Sequence, residues 1–250
     1  MRISIISSCY NSELTITETL NSIELQTYDD IELIIVDGNS KDNSLNIIQN
    51  FKEKFLNIKI ISENDNGVYD ALNKGIELAS GDIIGFLHSD DIFKSNTVLS
   101  DIVLIFKNND VDGVYGDLQY VKSTDINNVI RNWKSRKFYP EMIKNAWMPP
   151  HPTLFLRKEV YEKHGHFDTS FKIAADYEFI LRIFKDQFLR FEYLPKTITT
   201  MRLGGISNGS LRNIALKVKE DYRAMRKHQV GNIITLARKT LSKLDQYFKR

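Results

Sequence analysis

The chain has 250 residues, 42% of them hydrophobic and 26% charged, with a formal net charge of +2. That is enough chain for one large α/β domain or two small ones, in a composition ordinary for a globular protein. No apolar run approaches the roughly 20 residues that span a bilayer, and the single cysteine, Cys9, excludes an internal disulfide framework and thiolate zinc sites. The short apolar start, Met1-Arg2-Ile3-Ser4-Ile5-Ile6, reads as a first strand and not as a signal peptide, so a reducing, cytoplasmic address is expected.

After that strand the first half alternates short apolar runs with helical patterns, the mark of βαβ units and a parallel sheet. Strands are predicted over residues 3–7, 31–36, 58–62 and 82–87. Helices are predicted over 12–26, 43–54 and 95–106, the last capped by Ser95. Between the third and fourth strands, Val68, Ala71, Leu72, Gly75, Ile76 and Ala79 recur at helical spacing.

Beyond Asp112 the pattern changes. Residues 114–121 and 129–133 read as antiparallel strands, and the prolines of 148–152 mark a rigid loop. A strand at 153–156 and a helix at 157–164 follow, and Tyr177, Ile180, Leu181 and Phe184 line the face of a further helix. Residues 203–210, with three glycines and two serines, read as a mobile loop.

Residues 211–250 hold 11 Lys and Arg against 3 Asp and Glu, whereas residues 1–210 hold 23 against 29. Leu211, Ile214, Val218, Tyr222 and Met225 line one helix of this tail, and Ile234, Ala237, Leu241, Leu244 and Phe248 line a second beyond Gly231-Asn232. Basic amphipathic helices either pack on their own domain or lie on an anionic membrane surface, and both readings stay open. The acidic body offers no basic groove, so no nucleic-acid partner is expected.

Three acidic positions carry chemistry. Asp90-Asp91 directly follows the apolar run of residues 83–87, and open α/β sheets bind ligands beyond the carboxyl ends of their strands. Two adjacent carboxylates there need a cation or strong donors. Mg²⁺ or Mn²⁺, held by one or two carboxylates and by substrate phosphates, would suit them. Asp37 ends the second strand before a turn-rich stretch, where a carboxylate can accept the N3–H of a uracil ring. Asp176 begins a helix whose dipole favours the ionised form that a general base requires. Each position also has a plain structural reading, as a turn residue, a cap or a helix-end charge.

The order of these pieces resembles the family 2 inverting glycosyltransferases, which have the GT-A fold. The matching segments are Ile5-Ile6-Ser7-Ser8-Cys9-Tyr10-Asn11, Ile35-Val36-Asp37-Gly38-Asn39-Ser40, Asp65-Asn66-Gly67-Val68-Tyr69-Asp70-Ala71-Leu72-Asn73-Lys74-Gly75 and Phe86-Leu87-His88-Ser89-Asp90-Asp91. His151-Pro152-Thr153, Gly165-His166-Phe167-Asp168 and Ala175-Asp176-Tyr177-Glu178 continue the likeness, which runs from about Arg2 to Gly209. The resemblance implies a Rossmann-like, mostly parallel sheet flanked by helices. It divides the chain into a transferase domain over 1–210, with a nucleotide-binding half (1–110) and an acceptor-binding half (111–210), and a basic helical tail over 211–250.

It also implies roles. Asp37 would hold the uracil of a UDP-sugar, with Ser7, Tyr10 and Asn11 beside the nucleotide, and Asp65 and Lys74 would line the same side, Lys74 near phosphate. Asp90 would contact the ribose or sugar, Asp91 would ligate Mn²⁺ or Mg²⁺ on the diphosphate, and Asp176 would take the proton from the acceptor hydroxyl. His151 would touch donor sugar or acceptor. Trp133 and Trp147 are either sugar platforms or core, and the loop of residues 203–210 is a candidate lid. Many relatives carry an acid where this chain has His88, which is then either a ligand or a histidine hydrogen-bonded at a strand end. The expected activity is transfer of a hexose, glucose or galactose, to an undecaprenyl-diphosphate-linked saccharide during O-antigen or capsule synthesis, at the inner face of the cytoplasmic membrane. The tail would make the membrane contact. A nucleotidyltransferase and a non-catalytic nucleotide- or sugar-binding protein are the competing expectations.

Overall fold

The computed structural model describes residues 1–55, 57–204, 211–237 and 239. In chain order the elements are β1 (Ile3–Cys9), α1 (Ile16–Glu24), β2 (Ile31–Asp37), α2 (Ser44–Lys52), β3 (Ile58–Ser62), α3 (Val68–Leu78), β4 (Ile83–Phe86), β5 (Ile92–Phe93), α4 (Val98–Asn108), β6 (Gly113–Lys122), β7 (Asp125–Trp133), β8 (Phe155–Arg157), α5 (Lys158–His164), α6 (Ala175–Phe184), β9 (Phe191–Arg202) and α7 (Leu211–Lys227). Short 3₁₀ turns at Pro140–Asn145 and His151–Thr153 lead into β8.

Among the described residues all nine strands join one sheet, in the order β3-β2-β1-β4-β8-β6-β9-β5, with β7 alongside β6. The β1·β2, β1·β4 and β2·β3 pairs are parallel, as the βαβ pattern predicts. The second half mixes antiparallel pairs of β8, β5 and β7 with a parallel β6·β9 pair.

Alternation along the strands divides the core in two. Ile3, Ile5, Leu33, Ile35 and Ile83 point to one face, against α1, α2 and α4. Ile6, Ile34, Val36, Ile84 and Phe86 point to the other, against α3, α5 and α6. This is the sheet covered on both faces that near-continuous apolar strands require. Gly75 lets α3 lie close on β1, since a Cβ there would meet Ile6 Cγ2 at 2.4 Å.

Three expectations change. Helix α4 starts at Val98 with Thr97 at its cap position, so Ser95 is not the cap. Helix α1 starts at Ile16, four residues later than its apolar spacing suggests. Strand β9 has no counterpart among the predicted elements, and it contains Pro195, a residue that disfavours strands. It is tolerated at an irregularity: β9 pairs through Tyr115↔Tyr193 and then Asp117↔Thr197, and the register shift falls where Pro195 lies.

The first tail helix packs on its own domain. Ala224, Met225 and Val230 lie in the same core as Phe179 and Ile183. Lys227 pairs with Asp168 (2.8 Å) and Glu178 (2.9 Å), and Arg223 donates to Ser170. No helix of the described residues is long and apolar enough to cross a membrane. Residues 205–210 of the expected lid, and residues 240–250 of the second tail helix, lie outside the described residues.

Candidate functional site

Parallel strands β1 and β2 end side by side, with Cys9 opposite Asp37. The Asp37 carboxylate is buried and accepts the Ser62 hydroxyl at 2.6 Å, the Ser40 N–H at 3.1 Å and the Ser40 hydroxyl. The two strand-end loops are laced together: Asn11 accepts the Lys41 N–H at 2.8 Å and donates its own N–H to Ser40 Oγ at 2.9 Å. Asn11 holds φ at 47°, a left-handed conformation that Asn tolerates better than most residues. A Cβ on Gly38 would lie 2.5 Å from Asp65 Oδ2 and 3.4 Å from the Tyr10 ring. Glycine there lets Asp65 and Tyr10 close around the strand end, and the Tyr10 ring, 61% exposed, offers a flat stacking face.

Lys74, expected near phosphate, is held by protein partners on the loop before α3 and on α3 itself. Its ammonium meets Glu63 at 2.7 Å, the Asn64 carbonyl at 3.1 Å and Asp70 at 3.6 Å, so its charge ties down the loop before α3. Ser7 lies within β1, its hydroxyl buried without a hydrogen-bond partner.

Beyond β4 the chain continues to pair with β1, through Leu87 N–H to Ile6 O (3.1 Å) and Ser89 N–H to Ser8 O (3.3 Å). This pins the His88–Asp91 turn across the end of β1. His88 Nδ1 lies 2.9 Å from the Ser8 hydroxyl. Burial lowers the His88 pKa against the opposing pull of Asp90 and Asp176, which keeps the ring neutral. The two aspartates then part. Asp90 is half-buried, and its carbonyl accepts the Arg202 guanidinium at 2.6 Å. Asp91 is fully buried and neither carboxylate oxygen has a hydrogen-bond partner; the Arg202 backbone N–H faces it without reaching hydrogen-bonding geometry. Burial, and then the charge of Asp90, push the Asp91 pKa well above the usual carboxylate range.

An anion so placed takes up either a proton or a cation. Among the described residues no group of three His, Cys, Asp or Glu side chains could hold a metal by itself. The donor set therefore fits a hard divalent ion that takes one or two carboxylates from the protein and its remaining ligands from phosphate, not a preformed all-protein cage.

Asp176, the second residue of α6, has Oδ1 3.0 Å from the Tyr69 hydroxyl, and the same hydroxyl lies 2.8 Å from the Ile173 carbonyl. Burial pushes the Asp176 pKa up, but Lys217, His151, the Tyr177 N–H and the Tyr69 hydroxyl outweigh it, and the net shift is downward. His151 is buried among Phe86, Phe167 and His88, at ring-centroid separations of 5.3, 5.6 and 6.2 Å, with Nε2 unpartnered. Burial lowers its pKa to about 4, so it is a neutral imidazole at pH 7, and the charge of Lys217 is the largest influence favouring ionised Asp176. Asp176 thus acts on both histidines, and His88 links it to Asp90 and, through Ser8, to the end of β1 beside Asp37.

Cavities elsewhere do not compete with this site. One of about 380 Å³ lies between α1 and β5, and one of about 250 Å³ lies over the start of α3; neither is lined by Asp37, Asp90, Asp91 or Asp176. Trp147 packs on Tyr115, Phe138 and Phe184 as core. Arg202 and Tyr69 are the functional neighbours that sequence reasoning missed. The run Thr197-Ile198-Thr199-Thr200 was the available signal for the strand that delivers Arg202.

Residues 4–172 match the family model described as "Glycosyl transferase family 2". An uncharacterized glycosyltransferase of Nostoc sp. is 34% identical over 185 residues, covering 70% of this chain and 57% of that protein. A PGL/p-HBAD biosynthesis glycosyltransferase of Mycobacterium bovis is 30% identical over 208 residues, covering 82% of this chain and 78% of that protein. Among solved structures, S. aureus TarS 1–349 in complex with UDP-GlcNAc superimposes with a TM-score of 0.71 at 22% identity, over 91% of this chain and 65% of that one. The mannosyltransferase PcManGT of Pyrobaculum calidifontis, in complex with GDP-Man and Mn²⁺, gives 0.66 at 19% identity, over 90% and 63%. At these identities the structural likeness concerns the fold alone. The chain spans less than two thirds of the Nostoc protein and of both solved chains.

Proposed function

Because the chain belongs to glycosyl transferase family 2, we propose that it moves a hexose from a UDP-sugar to a lipid-diphosphate-linked saccharide, inverting the anomeric centre. The fold is the GT-A type that this membership implies. The observation that carries the proposal is the gathering of Asp176, Asp90, His88 and His151 at the carboxyl edge of β1 and β4, beside the buried Asp37. Family membership also sets aside a nucleotidyltransferase.

Asp37 accepts the uracil N3–H, with Tyr10 and Asp65 closing over the base and Ser7 and Asn11 shaping the floor. TarS was crystallised with UDP and UDP-GlcNAc, which favours a uridine donor. Asp90 and His88 face the ribose and the transferred sugar. A divalent ion held by Asp91 and Asp90, Mn²⁺ or Mg²⁺, would neutralise the charge that develops on the departing diphosphate. Ionised Asp176, steadied by Tyr69, accepts the proton of the attacking hydroxyl on the face opposite the leaving group. Neutral His151, with a free Nε2, hydrogen-bonds a sugar hydroxyl without placing a second cation beside the base. Such an acceptor sits at the inner face of the cytoplasmic membrane, as in O-antigen or capsule assembly. Arg212, Lys219 and Arg226 on the exposed side of α7 are suited to meet that surface.

The test is Asp176→Asn, assayed for UDP release from UDP-glucose and UDP-galactose with Mn²⁺ and a synthetic undecaprenyl-diphosphate-linked monosaccharide. Transfer should fall by about 10²–10⁴-fold while UDP binding persists. Undiminished transfer would remove the base.

A further inference from the structure

Helix α7, the first helix of the basic tail, runs its inner face onto the segment that carries Asp176. The first N–H groups of a helix need partners from outside it. Ala174, at the cap position of α6, has no side chain to supply one. Glu220, 46 residues further along, partners the N–H of Ala174 itself and those of the two residues ahead of it. Its carboxylate accepts the N–H of Lys172 (2.8 Å), Ile173 (2.8 Å) and Ala174 (3.0 Å), and the residue is only 5% exposed. Bonds from an ionised acceptor are about twice as strong as neutral ones, and the helix dipole favours an anion at this end. The Tyr69 hydroxyl, from α3, lies 2.8 Å from the carbonyl of Ile173, the middle residue of the three, and 3.0 Å from Asp176 Oδ1, and its one hydrogen can serve either. The peptide groups just ahead of Asp176 are thereby held from α7 by Glu220 and lie against Tyr69 of α3.

We infer that Glu220 is a positioning residue for the base, and that α7 belongs to the catalytic apparatus and is not a dispensable extension. The inference rests on the reading of Asp176 as the base. Lys217, three residues before Glu220 and hence on the same face of α7, is the cation that favours the ionised form of Asp176. The other groups facing Asp176 are the Tyr69 hydroxyl from α3, His151 from the 3₁₀ turn before β8, and His88 from the end of β4. Glu220 itself acts on the Tyr69 hydroxyl, which burial and then Asp176 also keep protonated. The largest influence favouring ionised Asp176 thus comes from α7, which serves the base in charge as well as in place.

Four variants of the full chain test this: Glu220→Ala, Glu220→Gln, Lys217→Gln and Lys217→Arg, each with saturating Mn²⁺ in the transfer assay above. Glu220→Ala should lower kcat by about tenfold or more with UDP affinity, measured by calorimetry, within about twofold. Glu220→Gln, which keeps an acceptor oxygen, should recover part of that loss. Lys217→Gln should move the acid limb of the kcat/KM profile to higher pH by about half a unit or more, while Lys217→Arg leaves it in place. A Glu220→Ala protein with UDP affinity intact and kcat within twofold of the parent overturns the inference. So does an acid limb that Lys217→Gln does not move, and this second result decides the matter if Glu220→Ala fails to fold. Asp176→Asn separates the two failures: if it abolishes transfer while these variants behave like the parent, only the role of α7 is lost; if it transfers normally, the base itself is wrong.

Discussion

Replacing Glu178 by Gln should unfasten the far end of α7 from α6. Glu178 has no exposure, and its carboxylate is met by Arg182 one turn on, by Lys227 at 2.9 Å and by His228 Nε2 at 2.7 Å. A carboxylate only accepts, so His228 carries its proton on Nε2. Burial pushes the Glu178 pKa up, but His228, Arg182 and Lys227 outweigh it and bring it from 4.5 down to about 2. Holding the carboxyl at about 2 and not at its ordinary 4.5 corresponds to about 3 kcal/mol of folding stability at pH 7. Because the folded pKa is the lower one, this stability is fully present above pH of about 4.5 and is lost as pH falls through about 2. The Gln variant lacks it at every pH, leaving the Arg182 and Lys227 charges facing a neutral amide, the situation in which breaking a buried pair is costly. Urea unfolding of parent and variant should differ by about 3 kcal/mol at pH 7 and by about half that at pH 3, other titrations cancelling in the difference. A gap under about 1 kcal/mol at pH 7, or one that does not shrink with acid, would refute the reasoning.

Two further outcomes are expected. Gly85→Ala would place a Cβ 2.2 Å from Cε1 and 2.4 Å from Cδ1 of Phe155, across the β4·β8 pair; overpacking of this kind costs about 1–3 kcal/mol and should lower Tm by roughly 2–12 °C in scanning calorimetry, and a Tm within a degree of the parent would contradict the packing described. The combined variant Arg212→Gln, Lys219→Gln, Arg226→Gln, all at exposed positions on α7, should lose about 100-fold in partitioning onto phosphatidylglycerol vesicles, at about 1 kcal/mol per cation. Unchanged partitioning would exclude this face as the membrane contact.

The parallel half of the sheet was legible because its apolar runs are short, punctuated and spaced by helical stripes; Val68 to Ile76 announced α3 without ambiguity. Asp37, Asp90 and Asp176 stood out for the same reason, since a carboxylate directly after a buried strand or at a helix start has few places to go. What escaped depended on contacts distant in the chain. Strand β9 escaped, and with it Arg202 at its end; nothing local reveals that a register shift in β6 makes room for Pro195. The differing environments of Asp90 and Asp91 are set by the turn that His88 closes with the Asp91 N–H, a matter of backbone geometry that residue type does not reveal. Lys74 was expected near phosphate; its neutralisation by Glu63 and Asp70 needs the loop before α3 folded against the helix. The basic tail read as a unit apart because its charge contrasts with the body, yet that contrast is what binds it: Lys227 finds Asp168 and Glu178.

The Tyr69 hydroxyl has a single hydrogen and two waiting acceptors, a carboxylate oxygen at 3.0 Å and a peptide oxygen at 2.8 Å. When Asp176 is charged, the hydrogen serves it; once Asp176 has gained a proton, a rotation about one C–O bond hands that hydrogen to Ile173. No heavy atom shifts and no buried donor is stranded in either condition. With Asp176 as the proposed base, the pair would cycle between its two protonation states at each turnover without the surrounding scaffold having to rearrange.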